Sequence, residues 1–479
     1  MTSPPTLKQR IRAAKRALPY SPTMQGTSDP QIQFIVDPVA ARHTFTKHEL
    51  LPAVHDNNDY VDGDGDSSDD DHEPSNCPDP CSYANLYKPT KPTRLLQHAL
   101  TNANGDAWFR QRHCVSRAFA VPKSMRGDCG RYASEEMMKM IQQSQAKPSR
   151  CGFCGVGNRN NGIAKSTLDV RHLAREVASV AMLSIVFGTM YGKQHEMIDA
   201  LRGMILDTLE LVRNHDDKAR NKTTRLDTLV RKAIKEIARN NDSGNAQNCL
   251  VQRLLEYEKN GEEYYLTRDE VVSNAHSALL AGTQTICTTI AGALAHLAQM
   301  PNIQRDLKTG LLSGRDIVME TLRILPPVAG LPRYPKNSGL ILSSNKKEGS
   351  ASNSQCPIKK GQMMIVDLLA FAHAQPTKDS NENVSDFASL KFELRKGRKS
   401  KEQPWGIGRR KCPAGVISVE CISVLIETLI ERNITWKFAR PKKDMVDEAA
   451  CGGWIESIVY CPTLQFNHEI QITFFETIN

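Results

Sequence analysis

Apolar residues recur every three to four positions along most of this chain, a helical rather than a strand-like spacing. Such runs predict helices over 105–119, 167–187, 194–214 and 223–239. The best-defined one begins after Thr267, where Thr267 and Glu270 have the spacing of a capping box, and no proline interrupts it before Pro301. A helix of about 33 residues is roughly 50 Å long, enough to cross a large domain. A further helix is expected from about Arg315 to Leu325, stopped by Pro326-Pro327. A last apolar helix is expected from Pro413 to about Arg432. Strand-like alternation is sparse: Ile32–Val36 ahead of Asp37-Pro38, short pieces over 337–366, and a hairpin-like tail over 433–479. The fold class predicted is mainly α with a small β region.

Composition adds boundaries. The 479 residues carry ordinary globular apolar content and a net charge of +9. Residues 56–73 hold nine Asp and Glu and no Lys or Arg, so the remainder is more basic than the total suggests. Residues 55–82, polar and acidic with Gly, Ser and Pro, cannot bury a core and are expected to be a disordered insert. Residues 1–31 read as a basic leader: the first 28 lack Asp and Glu but include Lys8, Arg10, Arg12, Lys15 and Arg16. The main folded domain is then expected over 32–479. Thirteen scattered cysteines do not form a disulfide framework and favour a reducing compartment. No uninterrupted apolar stretch reaches the length of a transmembrane helix. The leader leaves peripheral membrane contact, an endoplasmic-reticulum or organelle location and the cytoplasm all open. Nothing resembles a zinc finger or an RNA-binding signature, so nucleic acid is not an expected partner.

One segment carries chemistry by itself. In Pro404-Trp405-Gly406-Ile407-Gly408-Arg409-Arg410-Lys411-Cys412-Pro413-Ala414-Gly415, a glycine-bearing loop delivers a cysteine to the start of an apolar helix. Pro413 suits the first helical position, which would place Cys412 at the N-cap, where unpaired N–H groups and the helix dipole stabilise a thiolate. Such a thiolate is a soft metal ligand; the bland alternative is a buried, inert cysteine beside a basic loop. Three further segments gain meaning beside it. Glu320 and Arg323 lie on one helix face. Ala281-Gly282-Thr283-Gln284-Thr285 places glycine and hydroxyls mid-way along the longest helix, which suggests a distorted turn beside a polar site or else tight packing. Trp108 and Arg112 are four apart on an early helix, suited to a cation–π stack or to sharing an anionic ligand.

Taken in order, these segments resemble the cytochrome P450 superfamily over roughly residues 32–479. The family pattern is Trp-x-x-x-Arg, then Ala-Gly-x-Asp/Glu-Thr, then Glu-x-x-Arg, then Phe-x-x-Gly-x-Arg-x-Cys-x-Gly. Here these are Trp108/Arg112, Ala281–Thr285, Glu320/Arg323 and Trp405–Ala414. The departures are Trp405 for Phe, Ala414 for Gly, and Gln284 for the usual acid. Lys391, in Phe387–Phe392, stands where an Arg normally meets the Glu-x-x-Arg pair, keeping the charge but losing the bidentate fork.

The resemblance implies a cytochrome P450-like fold with the long central helix over a haem b (iron protoporphyrin IX). Cys412 would be the axial ligand, favouring O–O cleavage. Trp108, Arg112 and Arg410, with Arg333, would bind the haem propionates, and Trp405 and Gly408 would shape the cysteine loop. Thr285 would hold the water that delivers protons, and Gln284 would orient it. Substrate contacts are expected from Val328–Leu331, residues 83–104 and Gly452–Ile455. Electrons would come from NAD(P)H through a flavoprotein reductase or ferredoxin docked on the basic face around 391–411. The implied activity is O₂- and reductant-dependent oxidation of a small, lipophilic or secondary-metabolite substrate. Two other readings stand beside it: an O₂-independent isomerase or dehydratase, kept alive by Gln284, and a haem-binding protein without turnover. A calcium-loop spacing (Asp62, Asp64, Asp66, Glu73) and two zinc half-sites (Cys77/Cys81, Cys151/Cys154) are set aside. The first lacks the glycine at its sixth position and flanking helices, and the second pair are far apart in irregular context.

Overall fold

A computed structural model describes residues 24–26, 32–35, 50–52, 95–103, 105–146, 163–214, 220–242, 248–328, 330–335, 339–342, 355–358, 363–368, 404–406, 410–439, 458–461, 463–466 and 470–477. Among these, helices dominate. They are α1 (Gly105–Phe119), α2 (Lys123–Ala146), α3 (Val170–Phe187), α4 (Thr189–Gly192), α5 (His195–Asn214), α6 (Arg220–Asp242), α7 (Leu250–Lys259), α8 (Arg268–Gln299), α9 (Pro301–Lys308), α10 (Gly314–Ile324) and α11 (Gly415–Glu431). The strands are β1 (Met24–Gly26), β2 (Ile32–Ile35), β3 (Leu50–Pro52), β4 (Ile163–Asp169), β5 (Gly330–Pro335), β6 (Gly339–Leu342), β7 (Gln355–Ile358), β8 (Met363–Asp367), β9 (Ile434–Phe438), β10 (Ile458–Cys461), β11 (Thr463–Phe466) and β12 (Gln471–Thr477).

The central helix α8 starts as its sequence predicts. Thr267 Oγ1 accepts from the Glu270 N–H at 3.3 Å, and the Glu270 carboxylate accepts from the Thr267 N–H at 2.8 Å. Glu270 is tied down further by Arg110 of α1, at 2.5 and 2.8 Å, and by Gln111 at 3.1 Å. The helix then runs 32 residues without a break. Helix α3, buried almost all round from Val170 to Phe187, packs along it. Each fully buried Leu, Ile or Phe there contributes about 1.5–3 kcal/mol. At its far end α8 is pinned to β9: Trp436 Nε1–H donates to the Leu294 carbonyl at 3.0 Å, and Gln304 bridges the carbonyls of Leu297 and Trp436. Helix α8 is long and apolar enough to cross a membrane, but most of that surface is spent inside the core.

The β structure is small and assembled over long sequence distances. One sheet has the order β1-β2-β8-β5-β3, a second β4-β12-β9, and β6-β7 and β10-β11 are separate hairpins. Three expectations need correction. Residues 167–169 end strand β4 rather than open a helix, because Thr167 to Asp169 pair with Gln471 to Thr473 and the Asp169 side chain then caps α3. Helices α2, α7 and α9 form where no helix was expected. Helix α11 starts at Gly415, with Ala414 as its N-cap and Pro413-Ala414 in a turn, so Cys412 lies outside the cap. The proposed acidic insert, the basic leader's first residues, Lys391, the calcium-loop spacing, the two zinc half-sites and Gly452–Ile455 lie outside the described residues.

Candidate haem-thiolate site

The cysteine loop is built by two close approaches. Gly406 has φ of +78°, the left-handed region that favours glycine, and it lies buried against Leu331 of β5. The Trp405 ring lies against Gly415, where an added Cβ would meet ring carbons at 3.1–3.2 Å. The Cys412 N–H donates to the Trp405 carbonyl at 2.9 Å, closing the loop. The glycine that admits the aromatic ring is therefore Gly415, which accounts for the tolerance of Ala414 one residue earlier.

Cys412 is exposed as a residue, yet burial is the largest influence on its thiol and pushes it up. The Ala414 N–H and the charges of Arg112 and Lys411 act in the opposite direction, favouring the thiolate. The donor expected from a helix end is thus present, supplied by the turn before the helix.

Two guanidinium groups flank this region. Arg112 of α1 is half-buried, and burial lowers its pKa; Cys412 is the one group that pulls it back. Among the described residues it has no carboxylate partner. Arg410 lies over the Trp108 ring, 4.6 Å from its centroid, and donates to the Ala103 carbonyl at 3.1 Å. The cation on Trp108 is therefore Arg410, delivered from the cysteine loop, rather than Arg112 four residues along the same helix. Sequence spacing could not have shown this, because the two residues are joined only by the tertiary fold.

Glu320 and Arg323 of α10 are both buried, 4% and 8% exposed, and meet through Nε–Oε2 at 2.9 Å and Nη2–Oε1 at 2.6 Å. On the central helix, Ala281 is exposed and Ala278, Gly282, Gln284 and Thr285 are half-buried, although most of the helix is enclosed. Ala278, Ala281, Gly282 and Thr285 share one face, so an accessible strip opens mid-way along a core helix. The Thr285 hydroxyl donates to the Ala281 carbonyl at 2.9 Å, with Gly282 O at 3.2 Å. The helix is not broken here. Gly282 serves packing, since a Cβ would meet the Met182 side chain of α3 at 2.4 Å. Arg333 lies on β5 in register with Met364 and Pro52, its side chain outside the described residues, as is Gly408. The chain thus brings together Trp108 with Arg410, Arg112 with Cys412, Trp405 with Gly415, and Glu320 with Arg323. No group of three metal-ligating side chains occurs among the described residues.

A mainly helical body, a long core helix and small long-range sheets make this a cytochrome P450-type fold. Solved structures share it. Retinoic acid-bound cyanobacterial CYP120A1 aligns with TM-score 0.62 at 14% identity, covering 92% of this chain and 88% of its own. P450 OxyD, involved in the biosynthesis of vancomycin-type antibiotics, aligns with TM-score 0.61 at 16% identity, covering 98% and 97%. The cytochrome P450 family profile matches residues 76–312. Among curated relatives, (+)-piperitol/(+)-sesamin synthase CYP81Q2 of Sesamum radiatum is 27% identical over 208 residues, 39% of this chain and 38% of its own length. Cytochrome P450 78A7 of Arabidopsis thaliana is 24% identical over 381 residues, covering 69% and 64%. The chain belongs to the cytochrome P450 superfamily. Its matches span between about a third and two thirds of these curated relatives, and the family match ends before the Cys412 loop.

Proposed function

We propose that the chain is a haem-thiolate monooxygenase that inserts one oxygen atom of O₂ into a small organic substrate, the other leaving as water with two electrons and two protons. The observation that carries this reading is Arg112: a half-buried cation without a carboxylate partner among the described residues, placed within electrostatic reach of the Cys412 sulfur. A cofactor that presents carboxylates on its edge and a thiolate-seeking iron at its centre satisfies both groups at once.

The residues fit haem b in that sense. Cys412 would ligate the iron, with the Ala414 N–H directed at its sulfur. Arg112, Arg410 and Trp108 would hold the propionates, with Arg333 a further donor, while Trp405 and Gly408 shape the loop. When bound, the haem supplies the redox chemistry. The protein's own part is to orient substrate and move protons. Thr285 has its hydroxyl proton committed to the Ala281 carbonyl, which leaves its oxygen lone pairs free to accept from a water. Gln284 is neutral, so it orients that water through its amide and does not supply a proton.

Electrons would come from NAD(P)H through a flavoprotein reductase or ferredoxin. Lys411 is exposed and lies in the basic sequence stretch 391–411, where we expect an acidic donor to dock. A relative named for the synthesis of (+)-piperitol and (+)-sesamin supports a lipophilic secondary metabolite as substrate class. Gln284 favours a second reading, an O₂-independent isomerase or dehydratase on the same fold. Product formation from a panel of phenolics, terpenoids, fatty acids and steroids, with O₂ and reductant supplied or withheld, separates them. Turnover without O₂ would overturn the monooxygenase.

A further inference from the structure

Segment 95–103 is tied to two distant elements. At its end the Ala103 carbonyl accepts from Arg410 of the cysteine loop at 3.1 Å. Before that, the Leu100 N–H donates to Asn274 Oδ1 of α8 at 3.0 Å, and the Thr101 and Ser277 hydroxyls meet at 3.3 Å. Ala99 is fully buried beside these contacts, and the Asn102 N–H turns back to its carbonyl at 2.9 Å.

Asn274 is itself held from behind. Its Nδ2 donates to Gln111 Oε1 of α1 at 2.9 Å and to the Glu270 carbonyl at 2.8 Å. Gln111 Nε2 donates in turn to the Glu270 carboxylate at 3.1 Å. Glu270, Gln111 and Asn274 are all buried. This relay has a single polarity. An ionised carboxylate only accepts and a backbone N–H only donates, so its two ends fix which way both amides point. Turning either amide round would set like poles together away from water, and each link therefore holds the next.

Helical periodicity gives the relay its place. Glu270, Asn274, Ala281 and Thr285 fall on one stripe of α8. That stripe is buried at Glu270 and Asn274, as is Ser277 beside it, and becomes accessible from Ala278 onward. Segment 95–103 thus lies against the buried part and stops where the accessible strip begins. Ser277 and Ala281 are about 6 Å apart along the helix axis. Thr101, bonded to Ser277, is exposed at this boundary.

We infer that Asn274 is a positioning residue that sets specificity: the Glu270–Gln111–Asn274 relay holds the Leu100 N–H, and with it segment 95–103, as the end wall of the accessible strip that leads to Thr285. The inference deepens the haem-thiolate reading and rests on it for its ligand probes.

The test uses the full-length, haem-loaded protein and two iron-binding probes of different length, imidazole and 4-phenylimidazole, followed by the Soret shift after rapid mixing. Asn274→Leu keeps the bulk of the side chain and removes the acceptor of the Leu100 N–H. It is expected to raise the association rate of 4-phenylimidazole about tenfold, roughly what one net hydrogen bond is worth, and to leave that of imidazole within about twofold. Asn274→Asp keeps the acceptor and loses both donors. It should bind both probes at wild-type rates with a lower denaturant midpoint, which separates the position of the wall from stability. Thr101→Val, at an exposed position, should shift the 4-phenylimidazole rate in the same direction by a smaller factor. Amide exchange of the peptide carrying Leu100, read by mass spectrometry, should quicken in Asn274→Leu and stay slow in Asn274→Asp. Equal acceleration of the two probes, unaltered exchange at Leu100 in Asn274→Leu, or an Asn274→Asp protein that behaves as Asn274→Leu would each overturn the inference. Should Asn274→Leu not fold, an unaltered 4-phenylimidazole rate in Thr101→Val overturns it. A wild type without any Soret response to imidazole would instead defeat the haem-thiolate reading, and the exchange comparison at Leu100 would still decide the relay.

Discussion

Arg410 lies 4.6 Å above the Trp108 ring, a contact between residues 302 positions apart that ties the cysteine loop to the first described helix. Cation–π pairs of this kind contribute about 0.5–2 kcal/mol. Trp108→Ala should therefore loosen both the loop and the cofactor edge, lowering haem affinity by roughly tenfold, since about 1.4 kcal/mol is a factor of ten. Haem transfer to an excess of apomyoglobin measures this directly. A transfer rate equal to wild type would remove Trp108 from the cofactor site.

Among the described cysteines, Cys412 is the one that combines a backbone donor at its sulfur, cations nearby and an exposed residue surface. Cys412→Ala should abolish the red-shifted Soret band of the reduced carbon-monoxide complex, and Cys421→Ala should leave it, because Cys421 is enclosed in α11. A band that survives Cys412→Ala would move the ligand elsewhere.

Burial makes the Glu320–Arg323 pair costly to break from one side. Removing the carboxylate takes away the acceptor of two hydrogen bonds from a buried guanidinium, a loss on the order of 3–5 kcal/mol. Glu320→Ala should give little haem-loaded protein. Purified yield and haem-to-protein ratio check this, and near-normal values would mean that water reaches Arg323 readily.

Proton delivery should depend on Thr285 more than on its neighbour. Thr285→Ala is expected to uncouple the cycle, with NADPH consumed and hydrogen peroxide released but little organic product. Thr285→Ser, which keeps the hydroxyl, should retain most coupling. Gln284→Glu should be tolerated, since it restores an ionisable group at a half-buried position. The ratio of product to NADPH consumed decides; unchanged coupling in Thr285→Ala would favour proton delivery by the substrate or the O₂-independent reading.

Acid stability should carry a signature of Glu270. Burial alone would raise its carboxyl, but the Arg110 hydrogen bond and those from Thr267 outweigh it and hold it below the usual 4.5. A depressed carboxyl contributes stability above the unfolded value and loses it as pH falls through the folded one. Glu270→Gln should thus destabilise by about 1–3 kcal/mol at neutral pH and flatten the loss of stability below pH 4.5. Denaturant midpoints at pH 7 and pH 3.5 test both halves; an unaltered acid limb would exclude Glu270 as a contributor.

What the sequence determined by itself was local. The capping box of Thr267 and Glu270, the absence of proline up to Met300, and the Pro326-Pro327 stop set the ends of α8 and α10, because helix boundaries depend on groups within one turn of each other. The glycine-bearing cysteine loop and the ordered motifs were legible for the same reason. The tertiary structure decided everything that joins distant residues. Strand β4 took residues 167–169 from a predicted helix only because β12 arrives to pair with it, 302 residues later along Asp169↔Gln471. Helices α2, α7 and α9 are stabilised by the faces they bury against neighbours, which periodicity in one segment does not announce. Arg410 rather than Arg112 covers Trp108, through a chain crossing no spacing encodes. A cation and its partner are chosen by which surfaces exclude water together, and that is settled when the helices pack.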